Sequence, residues 1–259
     1  MIFSPGEAPL AEGLLSFRGV TKHFRDGTVA LSDISFSLEE GSFTLLTGAN
    51  GSGKSVLLKL AGGLFMPNEG EILLKGVRIE EFGEQLFTQV GFIFQDPDSQ
   101  IVGETVLEDV CFGLRNLGLP ERDVQQRSRR ALEITGLTGL EEKPPHLLSG
   151  GEKRRLSIAG VEAMEPQLLL LDEPFTNLDY PGVIRLLKLL LRFHKEGRTI
   201  ILSSHDLAKC AAHGEYLLHL SKGRLDYSGP VREIINHIPK GELHIPDPAL
   251  PFERWSWLR

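Results

Sequence analysis

Five short stretches carry residue types that suit phosphate chemistry. The first is Gly48-Ala49-Asn50-Gly51-Ser52-Gly53-Lys54-Ser55-Val56, entered from the short apolar run Thr44 to Thr47 and left through Val56-Leu57-Leu58-Lys59-Leu60 with helical spacing. The order is strand, loop, helix. Glycines let the backbone curl so that successive N–H groups point at one spot, and the helix start adds unpaired N–H groups and its positive dipole end. Gly48, Gly53, Lys54 and Ser55 meet the spacing G-x-x-x-x-G-K-[ST]. That spacing sets a cation against terminal phosphates and a hydroxyl where a magnesium ion would bridge them. A glycine-rich turn with a solvated lysine is the plainer alternative, and the strand–loop–helix context speaks against it. Alone, the motif says nucleotide and no more.

Four further stretches end at groups that could act on such a ligand. Leu168-Leu169-Leu170-Leu171 reads as a buried strand that stops at Asp172-Glu173. Asp172 can hold magnesium, directly or through water, on the metal shared with Ser55. Glu173, pointing the other way, can polarise a water for in-line attack. Thr199 to His205 is another core strand, and His205 alone among eight histidines falls at such a strand's carboxyl end. His23, His146, His194, His213, His219, His237 and His244 read as surface or packing residues. Val90 to Gln95 is a continuous apolar strand ending in a polar residue, which in an open α/β sheet faces the ligand. Finally, Ser149 and Glu152 have capping-box spacing, which by itself marks only a helix start. Gly150 and Gly151 between them allow another molecule to approach the backbone, giving a second anion-seeking helix N-terminus.

These groups need a scaffold. Residues from Leu14 to Leu38 alternate apolar and polar about a turn signal at Asp26-Gly27, which predicts an antiparallel ribbon beside the main sheet. Phe24 precedes that turn, where an aromatic either stacks on a base or packs. A helix is expected from Ser55 to Gly62 and a short strand pair between Gly70 and Gly76. The text from Asp96 to Gly160 turns helical: Thr105 and Glu108 cap a helix towards Asn116, and Pro120 opens another through Thr135. Arg127, Arg129 and Arg130 read as a solvated face. A helix from Gly182 to Lys195 and a hairpin around Lys222-Gly223 complete the core. Beyond Gly241 come Pro246, Pro248 and Pro251 with Trp255 and Trp257, a tail expected to dock on this chain or a partner.

Bulk properties bound the rest. A chain of 259 residues with 41% hydrophobic composition is globular, and a net charge of -7 speaks against a nucleic-acid partner. Met1 to Gly13 has no secretory character and no apolar run spans a bilayer, so the chain is expected in the cytosol or held at a membrane by a partner. Cys111 and Cys210, in separate predicted helices, are expected as buried or free thiols.

Taken together and in this order, the motifs resemble the ABC-type ATPases, the nucleotide-binding subunits of ATP-binding cassette transporters. Gly48 to Ser55 resembles the Walker A loop, Gln95 the Q-loop, Leu148 to Glu152 the signature, Leu168 to Asp172 with Glu173 the Walker B and catalytic base, Asp179 the D-loop and His205 the switch histidine. Phe24 takes the place of the base-stacking aromatic. The resemblance implies an α/β fold with a P-loop NTPase core (a RecA-like parallel sheet), an antiparallel β subdomain and a helical subdomain. It places the ATPase domain at 14–240, with core segments 14–95 and 161–228, the helical subdomain at 96–160 and tails at 1–13 and 241–259.

The same resemblance implies ATP and Mg2+. Lys54, Glu173 and His205 would be catalytic, Ser55, Gln95 and Asp172 would serve the metal, and Phe24, Gly48 to Val56, Gln95, Ser149 to Glu152 and Asp179 would hold nucleotide. Phe94 to Gln100 and Thr105 to Leu114 are similar to the energy-coupling factor (ECF) importer ATPases, which take up vitamins and metal ions. That implies a homodimer or a heterodimer with a related ATPase, a transmembrane coupling protein, a substrate-binding membrane component, no nucleic acid, and residence at the cytoplasmic face. Departures are Val56 for a commoner threonine, Glu152 for glutamine, and Asn177 before Leu178-Asp179. The alternatives are another ABC transporter class, a non-transport ABC protein acting on nucleic acid, and a P-loop kinase or GTPase switch. The last would have no use for a second phosphate-seeking helix.

Overall fold

In the computed structural model, residues 13–238, 243–244 and 251–258 are described. The expected tail at 1–13, apart from Gly13, and most of the proline-rich stretch lie outside them. Strands β1 (Leu15–His23) and β2 (Val29–Leu38) pair antiparallel about the Asp26-Gly27 turn. Then follow β3 (Phe43–Thr47), α1 (Lys54–Ala61), β4 (Glu69–Leu74), β5 (Val77–Arg78), α2 (Leu86–Gln89) and β6 (Val90–Ile93). The middle of the chain is helical, with α3 (Val106–Asn116), α4 (Glu121–Thr135) and α5 (Gly150–Glu162). It closes with β7 (Leu168–Leu171), α6 (Tyr180–Lys195), β8 (Thr199–Ser203), β9 (Tyr216–Ser221), β10 (Arg224–Pro230) and α7 (Val231–Ile234).

Two sheets result. A four-stranded antiparallel sheet has the order β2-β1-β4-β5, and a six-stranded sheet has the order β10-β9-β3-β8-β7-β6. In the second, β9, β3, β8, β7 and β6 run parallel and only β10 is antiparallel. Its central strands are continuous apolar runs because both faces are covered. One face meets α6 and α5 through Leu169, Leu171, Phe193 and Ile158; the other meets α1 and the antiparallel sheet through Leu170, Leu57, Phe17 and Ile34. A third apolar cluster joins α3, α4 and α5. All the parallel strands end on one side, so the loops after β3, β6, β7 and β8 converge there.

Several boundaries differ from the sequence reading for local reasons. Strand β6 stops at Ile93 because its partner β7 ends at Leu171, and the last ladder bond runs from Asp172 N–H to the Ile93 carbonyl at 3.0 Å. Helix α6 starts two residues before Gly182: Asp179 caps it, its carboxylate accepting from Gly182 N–H at 2.9 Å, and Pro181 occupies the first turn. Cys210 lies between two short 3-10 turns rather than in a helix, while Cys111 is on α3; both are buried free thiols.

The tryptophan-bearing tail docks on its own chain. Trp255 is 5% exposed in the main core, its carbonyl accepts from Ala212 N–H at 2.9 Å, and Tyr180 Oη donates to the Trp257 carbonyl at 3.1 Å. Trp255→Ala is therefore expected to lower the unfolding free energy by about 3 kcal/mol, read by denaturant titration; a change below about 0.5 kcal/mol would show that the tail adds nothing to the core.

Candidate functional site

A cleft of about 740 Å³ opens where the parallel strands end. Its walls come from the β1–β2 turn (Phe24, Thr28, Val29, Ala30), the loop into α1 (Asn50, Gly51, Gly53 to Val56), Gln95, Glu173, Thr176, His205 and the β9–β10 hairpin (Lys222, Gly223).

The loop into α1 is fixed by contacts that exclude side chains. At Gly48, φ is +143° and an added Cβ would lie 2.2 Å from the Leu220 carbonyl oxygen. At Gly53, φ is +108° and a Cβ would meet Leu31 Cδ2 at 2.6 Å and the Ala30 carbonyl oxygen at 2.9 Å. Only glycine fits either position, sterically and conformationally. The β9–β10 hairpin clamps the loop from outside. Gly223 N–H donates to the Ser52 carbonyl at 3.1 Å, and the Gly223 carbonyl accepts from Ser32 N–H at 2.8 Å.

Lys54 is 6% exposed. Its ammonium donates to the Gly48 and Ala49 carbonyls at 2.8 and 3.2 Å and lies 3.9 Å from Glu173 Oε1. Burial pulls its pKa below the usual lysine value, and the carboxylates of Glu173 and Asp172 offset part of that loss.

At the ends of β7 and β8, Ser203 ties the two acidic residues together. Its hydroxyl donates to Asp172 Oδ1 at 2.8 Å and accepts from Glu173 N–H at 2.8 Å. Glu173 sits at φ +45°, a conformation that costs a non-glycine residue about 1–3 kcal/mol. The Ser203 clamp holds it there, with Oε2 2.9 Å from His205 Nδ1 and Oε1 turned towards Lys54. Oε1 is buried without a hydrogen-bond partner, so one acceptor stands ready at the cleft floor.

The structure gathers Phe24, Asn50, Gly51, Gly53, Lys54, Ser55, Val56, Gln95, Glu173 and His205 around one cleft. Gly48 and Ser52, both buried, and the exposed Ala49 belong to the same loop without lining the cleft, and Asp172 is buried next to Glu173 in sequence. Phe24 both lines the cleft and meets Phe65 edge-on at 5.7 Å. Ser149, Gly150, Gly151, Glu152 and Asp179 do not line it. Ser149 and Gly150 are exposed at the start of α5, where Glu152 Oε2 accepts from Ser149 N–H at 2.7 Å and from its hydroxyl at 2.8 Å. Both bonds hold the Glu152 carboxyl below its usual pKa. Asn177, at φ +61°, takes a left-handed conformation that asparagine tolerates well. Sequence reading missed Ser203, Thr176, Lys222 and Gly223. His244 pairs with Asp206 at 2.8 Å, and its N–H donates to the His205 carbonyl at 3.1 Å.

Among the described residues no group of three or more His, Cys, Asp and Glu could hold a metal unaided. The Ser55 hydroxyl and Gln95 amide on the cleft, with the buried Asp172 carboxylate, would supply an oxygen donor set. Such a set suits Mg2+ completed by phosphate oxygens and water rather than by a protein cage.

The sequence pattern of the ABC transporter family matches residues 31–176, more than half of the chain. The chain belongs to that family. It is 40% identical over 229 residues to an energy-coupling factor transporter ATP-binding protein EcfA of Methanocaldococcus jannaschii, an alignment covering 86% of this chain and 82% of the relative. The EcfA of Methanosphaera stadtmanae is 38% identical over 93% of this chain and 89% of its own length. Among solved structures, cbiO1 from Clostridium perfringens, described as part of the ABC transporter complex cbiONQ, superimposes with a TM-score of 0.79 at 36% identity, covering 87% of this chain and 92% of that one. The ATP-binding cassette MJ0796, in a dimeric post-hydrolysis state with ADP and Pi, gives a TM-score of 0.76 at 27% identity, covering 84% and 99%. This ABC ATPase thus binds and hydrolyses ATP, and its fold is the expected cassette of parallel core, antiparallel sheet and helical segment.

The Ser203 clamp makes a specific prediction. Ser203→Ala leaves the Glu173 N–H buried and unpaired, which is expected to cost about 1–3 kcal/mol of stability and to lower ATPase kcat. Unchanged unfolding and unchanged kcat would show that the serine does not hold Glu173.

Proposed function

We propose that this chain is the ATP-hydrolysing subunit of an ECF-type importer, energising uptake of a vitamin or metal ion from the cytoplasmic face of the membrane. The observation that carries the chemistry is the convergence of Lys54, Glu173 and His205 at the floor of the phosphate loop. Backbone N–H groups of Gly51, Gly53, Lys54 and Ser55 cradle the β- and γ-phosphates, and Lys54 sets its charge against them. Phe24 stacks on the base. Ser55, Gln95 and Asp172 would hold Mg2+, which neutralises charge on the phosphates. Glu173 takes a proton from water as the water oxygen attacks the γ-phosphorus, the bond to the β-phosphate oxygen breaks, and ADP and phosphate leave. His205 donates to the γ-phosphate and, through Nδ1, orients Glu173.

The second half of each site comes from another subunit, because Ser149, Gly150, Gly151 and Glu152 stand away from the cleft of their own chain. In this reading they close on the nucleotide of a facing copy or a related ATPase, with Asp179 at the same seam. The dimeric state of MJ0796 and the naming of EcfA and cbiO1 relatives support pairing and a membrane complex. So do Val102 and Phe112, exposed at 61% and 50% beyond Gln95 and on α3, where a transmembrane coupling protein would dock; it would connect in turn to a substrate-binding membrane component. A nucleic-acid role has no comparable support in a chain of net charge -7.

Glu173→Gln is expected to retain ATP-dependent pairing by sedimentation while ATP turnover falls by about 10²–10⁴-fold. Undiminished turnover would remove Glu173 from the role of base.

A further inference from the structure

The aromatic wall of the cleft rests on the segment that follows α1. Phe24 lines the cleft from the β1–β2 turn, and its ring meets Phe65 edge-on with centroids 5.7 Å apart. Residues 62–68 link α1 to β4 and are fastened at both ends. On the helix side, Leu64 N–H and Phe65 N–H both donate to the Lys59 carbonyl, at 2.8 and 3.2 Å. On the strand side, Asn68 N–H donates to the Thr21 carbonyl at 2.9 Å, and Asn68 Oδ1 accepts from His23 N–H at 3.0 Å. Lys22 Nζ donates to the Met66 carbonyl at 2.7 Å, and it lies 5.7 Å from the Phe24 ring centroid and 5.8 Å from that of Phe65. Lys59 Nζ is over the Phe65 ring at 5.4 Å. Phe65 itself packs against the apolar cluster that contains Leu57 and Leu58 of α1.

Resting on the reading that Phe24 stacks on the base, we infer that Phe65 is a positioning residue for Phe24, fixing where the base platform stands relative to the phosphate loop. The β1–β2 turn does not do this alone. Residues Arg25 to Val29 are exposed, and the bonds from Phe24 N–H to the Thr28 carbonyl at 2.9 Å and from Gly27 N–H to the Phe24 carbonyl at 3.0 Å close the turn only on itself. Phe65 ties the ring to α1, and α1 begins at Lys54 in the phosphate loop. A helix of eight residues is about 12 Å long and does not stretch, so Lys54 keeps a constant distance from the Lys59 carbonyl that holds Phe65. Both ends of a bound nucleotide thus meet groups carried by one helix. An edge-on aromatic pair attracts beyond its buried area, and a lysine ammonium over the rings adds to that hold. An aliphatic side chain of similar size would fill the space but give Phe24 no preferred angle.

The test is calorimetric binding to the full chain without Mg2+, so that no turnover intervenes, with ATP and inorganic tripolyphosphate as the two probes. Phe65→Leu is expected to raise the Kd for ATP about 2- to 10-fold while tripolyphosphate, which has no base, binds as before. Phe65→Tyr keeps the ring and is expected to restore ATP affinity. If Phe65 acts through Phe24, then Phe24→Ala and Phe65→Leu lose no more together than Phe24→Ala alone. An unchanged Kd for ATP in Phe65→Leu, an equal loss for tripolyphosphate, or losses that multiply would overturn the inference. Should Phe65→Leu fail to fold, Asn68→Ala loosens the same segment from its strand end and is expected to weaken ATP but not tripolyphosphate; no loss, or the same loss for both, counts equally against it. Phe24→Ala separates this from the underlying reading. ATP affinity that survives Phe24→Ala removes Phe24 as the base platform and the inference with it, whereas a loss there with none in Phe65→Leu removes Phe65 alone.

Discussion

No side chain fits where the phosphate loop meets its neighbours, and the rest of the site depends on that exclusion. Gly48 lies against the Leu220 carbonyl and Gly53 against Ala30 and Leu31, so backbone packs on backbone from both sheets at once. The loop between them is thereby held in one curl, fastened by the Ser52 N–H bond to the Ala49 carbonyl at 3.1 Å. A cradle of this kind cannot be made by one sheet alone. The parallel sheet supplies β3 and β9, the antiparallel sheet supplies β2, and the Lys222-Gly223 hairpin ties the two together through Ser52 and Ser32. Lys54 then folds back onto the Gly48 and Ala49 carbonyls, which keeps its charge at the loop centre before any phosphate arrives.

The same economy of contacts governs the acidic side of the cleft. Glu173 is held in an unfavourable backbone conformation by one serine on the adjacent strand, and its two carboxylate oxygens face different partners. Strain of this kind persists only where the surroundings over-determine it. Here the determinants are the β7–β8 ladder and Ser203. Separately, His244 and Trp257 bond to residues 205–209, the segment that begins at His205.

Features that depend on a few consecutive residues were legible in the sequence. The loop Gly48 to Ser55, the capping boxes at Thr105 and Ser149, and the leucine strand ending at Asp172-Glu173 each carry their own local signal, and the structure places them as expected. The cap at Asp179 followed by Pro181 was equally local; reading Asp179 only as part of a loop delayed the helix by two residues. What stayed hidden depends on pairing between distant segments. Ser203 acquires a role only because β8 lies beside β7, and Lys222-Gly223 reaches the cleft only because β9 lies beside β3. Arg154 reads as one more charge on a polar helix until the end of β6 is seen to leave two carbonyls beside it. Phe24 reads from sequence as either stacking or packing; in the structure it lines the cleft and meets Phe65 edge-on.

The central claim is that one chain holds half of each site, with the exposed Ser149 helix start lying outside the cleft of its own chain. ATP turnover per chain across serial dilution, alone and with a related ATPase added, tests this directly. The account predicts that the rate per chain falls as pairs dissociate and is restored on reconcentration. A rate per chain that stays constant down to concentrations where sedimentation finds only monomer would contradict it.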